Sequence, residues 1–332
     1  MPACEPTPEA VFHGRRALLK AMGLGAAGAA MGALLATRDL WSGEVRGVEG
    51  TLVELNLLKA RPNPAFGLDR PLTGLEQAAS VCNFYEFTES KSVWRHVRDF
   101  ITRPWSLSVG GLVDNPLELD VADIVSGKAL GALEERPYRF RCVEAWAMTV
   151  PWIGVPLRRL IEAARPRAGA RHVRFTSFLR PAQAPNQRPG GPYERLWPYF
   201  EGLTLSEAVN DTAFLAVGMH GRELPKQNGA PVRVVVPWKY GYKSIKSVTA
   251  IEFTAERPAT FWNTLAPHEY DFWSNVDPTE PHPRWSQATE RMLGTGERRP
   301  TLPYNGYGDH VAHLYAGMGK DDPRYGFGRV SD

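Results

Sequence analysis

The hydrophobic pattern divides the chain into a short uncharged run near its start and a long mixed body. From Ala21 to Ala36 no charged residue occurs, and alanine, glycine, leucine and methionine fill the run. A helix needs about 20 apolar residues to cross a bilayer. This shorter run of small residues is therefore more typical of the apolar part of a signal peptide than of a membrane anchor.

The residues just before this run make the interpretation more specific. Arg15 and Arg16 stand together and are followed by Ala17-Leu18-Leu19-Lys20, a pattern that resembles bacterial twin-arginine export signals. We predict that residues 1–45 are a cleaved signal peptide and that the folded protein is exported to the periplasm. The alternative is a buried or amphipathic N-terminal helix in which the two arginines adjoin by chance.

The body of the chain mixes strand and helix patterns. Alternating apolar and polar residues predict strands, whereas four apolar residues after Pro156 follow the spacing of one helix face. The helix residues are Leu157, Leu160, Ile161 and Ala164, and the predicted strands are Leu107–Leu112, Pro137–Glu144, Arg171–Phe178 and Val232–Val236.

No repeat or low-complexity linker divides the body into two parts. Pro181–Pro192 is polar and rich in proline and glycine, which predicts a surface loop. We predict one α+β domain over residues 46–332, with mixed sheets and short helices. The aromatic residues near its end are predicted to pack in the core; they are Phe261, Trp262, Tyr270, Phe272, Trp273 and Trp285.

Composition excludes several classes of protein. The 332 residues are 43% hydrophobic and 11% aromatic, which rules out wholesale disorder, a collagen-like repeat and a coiled coil. Lys and Arg number 39 against 36 Asp and Glu, and so small an excess gives no reason to predict nucleic-acid binding. The 3 cysteines are too few for a disulfide scaffold.

Two cysteines remain after the predicted cleavage, Cys82 and Cys142. In an oxidising compartment they could form a disulfide. Cys142 follows Arg139 and Arg141, whose charges are expected to favour the thiolate, the form that attacks or binds a metal. The alternative is that Cys142 is a small buried apolar residue.

A basic segment follows the strand Val232–Val236. Lys239, Lys243 and Lys246 alternate with Gly241 and Ser244, and such a loop can hold an anion with its amides and ammonium groups. The spacing is not that of a Walker A loop, and a solvated basic hairpin is the alternative. The eight histidines show no zinc-hydrolase spacing.

Five motifs occur in a distinctive order. They are Asn83-Phe84-Tyr85-Glu86-Phe87, Arg141-Cys142-Val143-Glu144-Ala145-Trp146, Gln227-Asn228-Gly229-Ala230-Pro231-Val232-Arg233, Val236-Pro237-Trp238-Lys239-Tyr240-Gly241 and His282-Pro283-Arg284-Trp285-Ser286-Gln287. Over about Gln77 to Tyr315 the chain resembles the catalytic subunits of periplasmic protein-methionine-sulfoxide reductases. These are twin-arginine-exported molybdoenzymes related to sulfite oxidase, and the resemblance implies a sulfite oxidase-like molybdopterin-binding fold.

The resemblance also implies the roles of individual residues. Cys142 matches the thiolate that ligates molybdenum beside the dithiolene of one molybdopterin, so it is the predicted metal ligand and catalytic residue. The other predicted cofactor-binding residues are Asn83, Tyr85, Glu86, Ser177, Asn228, Arg233, Ser244, Ile245 and Lys246, with Thr176 as the alternative to Ser177. The basic loop would then bind the molybdopterin phosphate.

One position departs from the family pattern. Two asparagines commonly precede Phe-Tyr-Glu, but here the first of them is Cys82. This thiol would either pack neutrally beside the cofactor or change a hydrogen bond to the pterin.

The implied function is repair of methionine sulfoxide in periplasmic proteins by two-electron oxygen-atom transfer, with one molybdenum per chain. A haem-binding membrane subunit would supply electrons from the quinone pool, and this chain would be the monomeric catalytic half of a heterodimer. The alternatives are a sulfite oxidase-like or general S- or N-oxide molybdoenzyme, and an exported anion-binding protein without catalysis.

Overall fold

A computed structural model describes residues 47–318 of the chain. The predicted signal peptide therefore lies outside the described residues. No helix between residues 47 and 318 combines the length and the apolar character needed to cross a membrane.

Thirteen strands are found within residues 47–318. They are β1 Arg61–Pro62, β2 Ser106–Gly111, β3 Leu117–Asp120, β4 Glu134–Arg141, β5 Trp146–Pro156, β6 His172–Ser177, β7 Phe200–Thr204, β8 Phe214–Met219, β9 Arg222–Glu223, β10 Arg233–Val235, β11 Val248–Thr254, β12 Thr289–Met292 and β13 Arg298–Pro300.

The helices in the same part of the chain are short. The α-helices are α1 Leu75–Ser80, α2 Val121–Val125, α3 Leu157–Ala164, α4 Leu205–Ala208, α5 Phe261–Leu265 and α6 Gly308–Val311. Single 3₁₀ turns occupy Glu49–Thr51, Pro64–Phe66, Val93–Arg95, Pro185–Gln187, Glu194–Leu196, Lys226–Asn228, Gly241–Lys243, Pro303–Gly306 and Ala312–Tyr315.

The strands of the described residues form two sheets. In the larger sheet, β5 is central: it pairs with β4 and β8 in antiparallel and with β12 in parallel orientation. The smaller sheet has the order β3-β2-β11-β6-β7, and its β2–β11 pair is parallel. Mixed sheets with short helices confirm the predicted α+β class.

The local sequence explains the segments that were predicted correctly. Leu157, Leu160, Ile161 and Ala164 all lie in α3 and are buried, because residues three and four apart share one helix face. The predicted strand Pro137–Glu144 is shorter at its end, since β4 stops at Arg141. There the chain turns, and the Cys142 amide donates to the Trp146 carbonyl at 2.9 Å.

The aromatic residues predicted to be in the core fall into two groups. Phe261, Tyr270, Phe272 and Trp273 are buried and pack in the main core, as predicted. Trp262, however, is only half-buried and lines a cavity together with Tyr270. Trp285 is also half-buried and stacks on His282, with the ring centroids 3.8 Å apart.

Two lysines of the basic segment are buried in ion pairs rather than solvated. Lys239 Nζ lies 2.5 Å from Glu207 Oε1, and Lys243 Nζ lies 2.6 Å from Glu201 Oε2. Lys239 also donates to the Trp273 carbonyl and to Asn275 Oδ1. The interpretation as a solvated hairpin is therefore wrong, because this segment anchors the loop in the core.

We expect the Lys239→Met substitution to lower the free energy of unfolding by about 3–5 kcal/mol, because it leaves the Glu207 carboxylate buried without its partner. The matched control is Lys128→Met, since Lys128 pairs with Asp123 on the surface and such pairs contribute about 0–1 kcal/mol. Denaturant unfolding measures both changes. Equal midpoints for the two variants would contradict the structural role of the buried pair.

Candidate active site

A cavity that is partly open to solvent lies where three segments of the chain meet. The segments are the turn between β4 and β5, the residues after α1, and the loop between β10 and β11. The third segment packs closely against the first: a Cβ atom at Gly241 would lie 2.5 Å from the Phe140 ring. Only glycine therefore fits this approach of the loop to β4.

The cavity brings together nine of the ten residues predicted to bind the cofactor. The nine that line it are Asn83, Tyr85, Glu86, Cys142, Asn228, Arg233, Ser244, Ile245 and Lys246. Ser177 is not among the lining residues; its hydroxyl donates to the Lys246 carbonyl at 2.9 Å and supports the loop from behind. Thr176 does not line the cavity either. The assigned roles stay predictions.

The Cys142 sulfur accepts two N–H groups. The main-chain amide of Glu144 lies 3.5 Å from it and the Asn83 side-chain amide 3.6 Å from it. Burial nevertheless raises the pKa of the Cys142 thiol to about 12, and the nearby Glu144 carboxylate adds to the rise. The N–H groups favour a thiolate, which suits a sulfur that ligates a metal.

The neighbouring arginines affect the Cys142 thiol less than burial does, although Arg141 acts in the predicted direction. Arg139 pairs with Asp69 at 2.6 Å, and the Arg141 guanidinium is directed to Gln287 and Thr301. The charge of Arg141 lowers the pKa of the thiol less than burial raises it. Adjacency in sequence therefore does not place these charges at the sulfur, because side chains of a strand alternate between its faces.

Two residues distant in sequence hold the turn that carries Cys142. Trp285 Nε1 and Gln287 Nε2 each donate to the Val143 carbonyl at 2.7 Å. The Gln287 side-chain oxygen accepts from Arg141 at 2.9 Å. Gln287 is completely buried, so one amide connects the residues on both sides of Cys142.

A second polar group lies beside the sulfur. Glu144 is half-buried and accepts from Asn83 and Trp146, each at 3.2 Å. Lys91 lies 2.6 Å from the same carboxylate and donates to Asn83 Oδ1. Burial opposes the charged form of Glu144, yet the charge of Lys91 and these bonds hold its pKa below the ordinary value. A carboxylate therefore stands at the wall of the cavity.

Two cations line the cavity without a close ion pair, although the charge of Glu86 acts on Lys246. Among the described residues, neither Arg233 nor Lys246 has an Asp or Glu oxygen within 4 Å, and both donate to main-chain carbonyls instead. Burial lowers the pKa of Arg233 to about 9 and that of Lys246 to about 8. Asn228 Oδ1 is also buried and has no hydrogen-bond partner within the described chain.

These groups have free capacity for an anionic, hydrogen-bonding ligand. The two cations match a phosphate, and Asn228 Oδ1 can accept an N–H group from a heterocycle. The soft Cys142 sulfur is a suitable ligand for a heavy transition metal. The residues present therefore fit a metal cofactor that carries a phosphate.

Comparison with known proteins decides the family. The oxidoreductase molybdopterin binding domain family matches residues 95–262, a segment that includes Cys142 and Arg233. The chain belongs to this family. Membership confirms the predicted molybdopterin-binding fold and the prediction of an oxidoreductase, and it implies a molybdenum–pterin cofactor.

Relatives of this molybdopterin-binding protein span nearly its whole length. A protein-methionine-sulfoxide reductase catalytic subunit MsrP from Burkholderia mallei (strain ATCC 23344) is 44% identical over 96% of this chain and 94% of its own. One of the same name from Ralstonia nicotianae (strain ATCC BAA-1114 / GMI1000) is 43% identical over the same shares. The family resemblance seen in the motifs is thus confirmed.

A solved structure is similar at a much lower level. The sulfane dehydrogenase SoxCD from Paracoccus pantotrophus aligns with 64% of this chain and 54% of its own, with 15% identity and a TM-score of 0.42.

Several residues of the molybdopterin-binding site were not predicted from the sequence. Trp285 was predicted only to pack in the core, Gln287 lies in the same motif without a predicted role, and Lys91 lies outside the motifs. No local pattern marks them, because each acts on a residue more than 50 positions away.

We expect the Gln287→Leu substitution to weaken molybdenum retention. It removes the donor to the Val143 carbonyl and the acceptor for the Arg141 guanidinium, and these two residues flank the predicted metal ligand Cys142. The unfolding free energy should fall by about 1–3 kcal/mol. Metal analysis after gel filtration and the visible absorption of the metal–thiolate centre measure the effect on the site.

Gln187→Leu is the matched control. Gln187 is also buried, but it bonds the main chain of Phe178 and Arg180 instead of the Cys142 turn. It should lose similar stability and keep its molybdenum. Equal retention in the two variants would show that Gln287 does not position Cys142.

Proposed function

We propose that this molybdoenzyme reduces methionine sulfoxide in oxidised periplasmic proteins. The observation that carries the proposal is the position of the Cys142 thiol in a cavity that also holds buried Arg233 and half-buried Lys246, neither of which has a carboxylate oxygen within 4 Å in the described part of the chain. The names of the relatives from Burkholderia mallei and Ralstonia nicotianae support the substrate.

Each group of the cavity has a defined task in this proposal. Cys142 ligates the metal, and the amides of Glu144 and Asn83 orient its sulfur. Arg233 and Lys246 bind the pterin phosphate, while Asn228 offers its free carbonyl oxygen to the pterin. When bound, the molybdenum cofactor supplies two-electron oxygen-atom transfer, so that a sulfoxide, two electrons and two protons yield a thioether and water.

The proposal includes export and a separate electron donor. Arg15 and Arg16 and the uncharged run after them support twin-arginine export to the periplasm. The name "catalytic subunit" of the relatives supports a second subunit. We propose that this subunit is a haem-binding membrane protein that takes electrons from the quinone pool.

The function is tested with the purified holoenzyme and a reduced viologen dye as donor. We expect about one molybdenum per chain and reduction of both free and protein-bound methionine sulfoxide. Cys142→Ser should abolish turnover and remove most of the metal–thiolate absorption, because a hydroxyl is a poor substitute for the thiolate ligand.

Cys82→Ser is the matched control, since this thiol lies in the same cavity but donates to the Gln227 carbonyl at 3.0 Å. It should keep the molybdenum. Oxidation of sulfite without reduction of methionine sulfoxide would contradict the proposed substrate, and active protein without molybdenum would contradict the proposed chemistry.

Export and the donor are tested together in cells. Replacement of both Arg15 and Arg16 by lysine should move the protein from the periplasmic extract to the cytoplasm, because the paired arginines are the export signal. Solubilised membranes that contain the partner should show a haem band that is reoxidised on addition of methionine sulfoxide. Unchanged fractionation of the double lysine variant would contradict twin-arginine export. A haem band that does not respond to methionine sulfoxide would contradict the proposed electron donor.

A further inference from the structure

One wall of the cavity is made of aromatic rings. Tyr85 and Trp262 lie with their ring centroids 4.9 Å apart, and Trp262 and Tyr270 with theirs 5.2 Å apart. All three residues line the cavity. We call Tyr85, Trp262 and Tyr270 the aromatic wall.

Helix α5 shows that Trp262 is not an ordinary core residue. Its neighbour Phe261 is completely buried and stacks on Tyr199, with the centroids 4.7 Å apart. Trp262 is half-buried and faces the cavity. In this helix, Phe261 therefore packs in the core, whereas the Trp262 ring can contact a ligand in the cavity.

The aromatic wall lies near the predicted metal ligand. Burial raises the pKa of Tyr85, and the charges of Glu144 and Cys142 contribute to the rise. The same two charges act on Tyr270. A group held against these rings would therefore be close to Cys142.

The electrostatics near the wall disfavour an anion. The cavity-lining cations of the described chain are Arg233 and Lys246, which match the cofactor phosphate. The charged group beside Cys142 is the Glu144 carboxylate, 3.7 Å from the sulfur and already paired with Lys91. An anion such as sulfite would lose its hydration without gaining a counter-charge there.

A methyl sulfoxide suits the same surroundings. It is neutral, and its sulfur and methyl group make favourable contacts with aromatic rings, as the thioether of methionine does. The rings also exclude water from the side chain that enters.

We propose that the aromatic wall binds the methyl–sulfur end of a methionine sulfoxide side chain, with Trp262 as the main specificity-determining residue. The proposal rests on the proposed function and identifies which residues select a neutral methyl sulfoxide over an anion.

The test compares two substitutions of Trp262 in the holoenzyme. Trp262→Leu keeps an apolar side chain but removes the ring, so KM for free methionine sulfoxide should rise about five- to tenfold, with kcat changed much less. Trp262→Phe restores a ring and should bring KM back to within about twofold of the starting protein. Molybdenum content and the visible spectrum should be unchanged in both.

Trp94→Leu is the matched control. Trp94 is a half-buried tryptophan that does not line the cavity and packs beside Arg95 instead. Its substitution should leave KM within about twofold. Equal KM values for Trp262→Leu and Trp262→Phe would overturn the proposal, as would a similar rise in the Trp94 variant.

A binding measurement separates this proposal from the proposed function. Methionine sulfone is a neutral analogue that this chemistry does not reduce, and calorimetry should show it binding to the unsubstituted holoenzyme and about fivefold more weakly to Trp262→Leu. If the unsubstituted enzyme reduces no methyl sulfoxide, the proposed function fails. If it reduces them and Trp262→Leu binds the sulfone equally well, only the aromatic wall is refuted.

Discussion

The structure depends on the rigid turn that connects β4 and β5. The tip of a hairpin is commonly among the more mobile parts of a sheet, yet this one carries the predicted metal ligand. Main-chain pairing from Cys142 to Trp146 closes the turn, and two side chains from a distant segment, Trp285 and Gln287, both donate to the buried Val143 carbonyl. A buried carbonyl without a hydrogen-bond donor costs free energy. The need to satisfy the Val143 carbonyl therefore fixes the turn, and with it the position of the Cys142 sulfur.

Ion pairing also separates the basic residues by role. Lys239 and Lys243 are buried against Glu207 and Glu201, so their charges are compensated within the protein. Lys246 belongs to the same loop but has no carboxylate oxygen within 4 Å in the described part of the chain. Arg233, in β10, likewise has none, and both side chains donate to main-chain carbonyls. Charge density along the sequence could not distinguish these lysines, whereas ion pairing does. A single loop thus both anchors itself in the core and presents a cation to the cavity.

What could be predicted from sequence was local or carried by long motifs. The periodicity from Leu157 to Ala164 is sufficient to predict a buried helix face, and the family motifs place nine of ten predicted residues around one cavity. The direction of Arg141 could not be predicted, since it depends on partners 146 residues or more away. The prediction that Trp262 packs in the core failed for a similar reason. The sequence shows that the residue is aromatic, but only the folded chain shows whether its ring packs against other side chains or lines a cavity.

The cations Arg233 and Lys246 also determine what the cavity requires of its ligand. Burial lowers the pKa of Arg233 and of Lys246, which expresses the cost of keeping each charged away from water. A phosphate between them would offset this cost, and a ligand that binds the folded state stabilises it in proportion to its affinity and concentration. If Arg233 and Lys246 bind the cofactor phosphate as proposed, cofactor binding and folding stability are coupled through them. A protein with this coupling is most stable once loaded, which suits the proposed export of a folded protein.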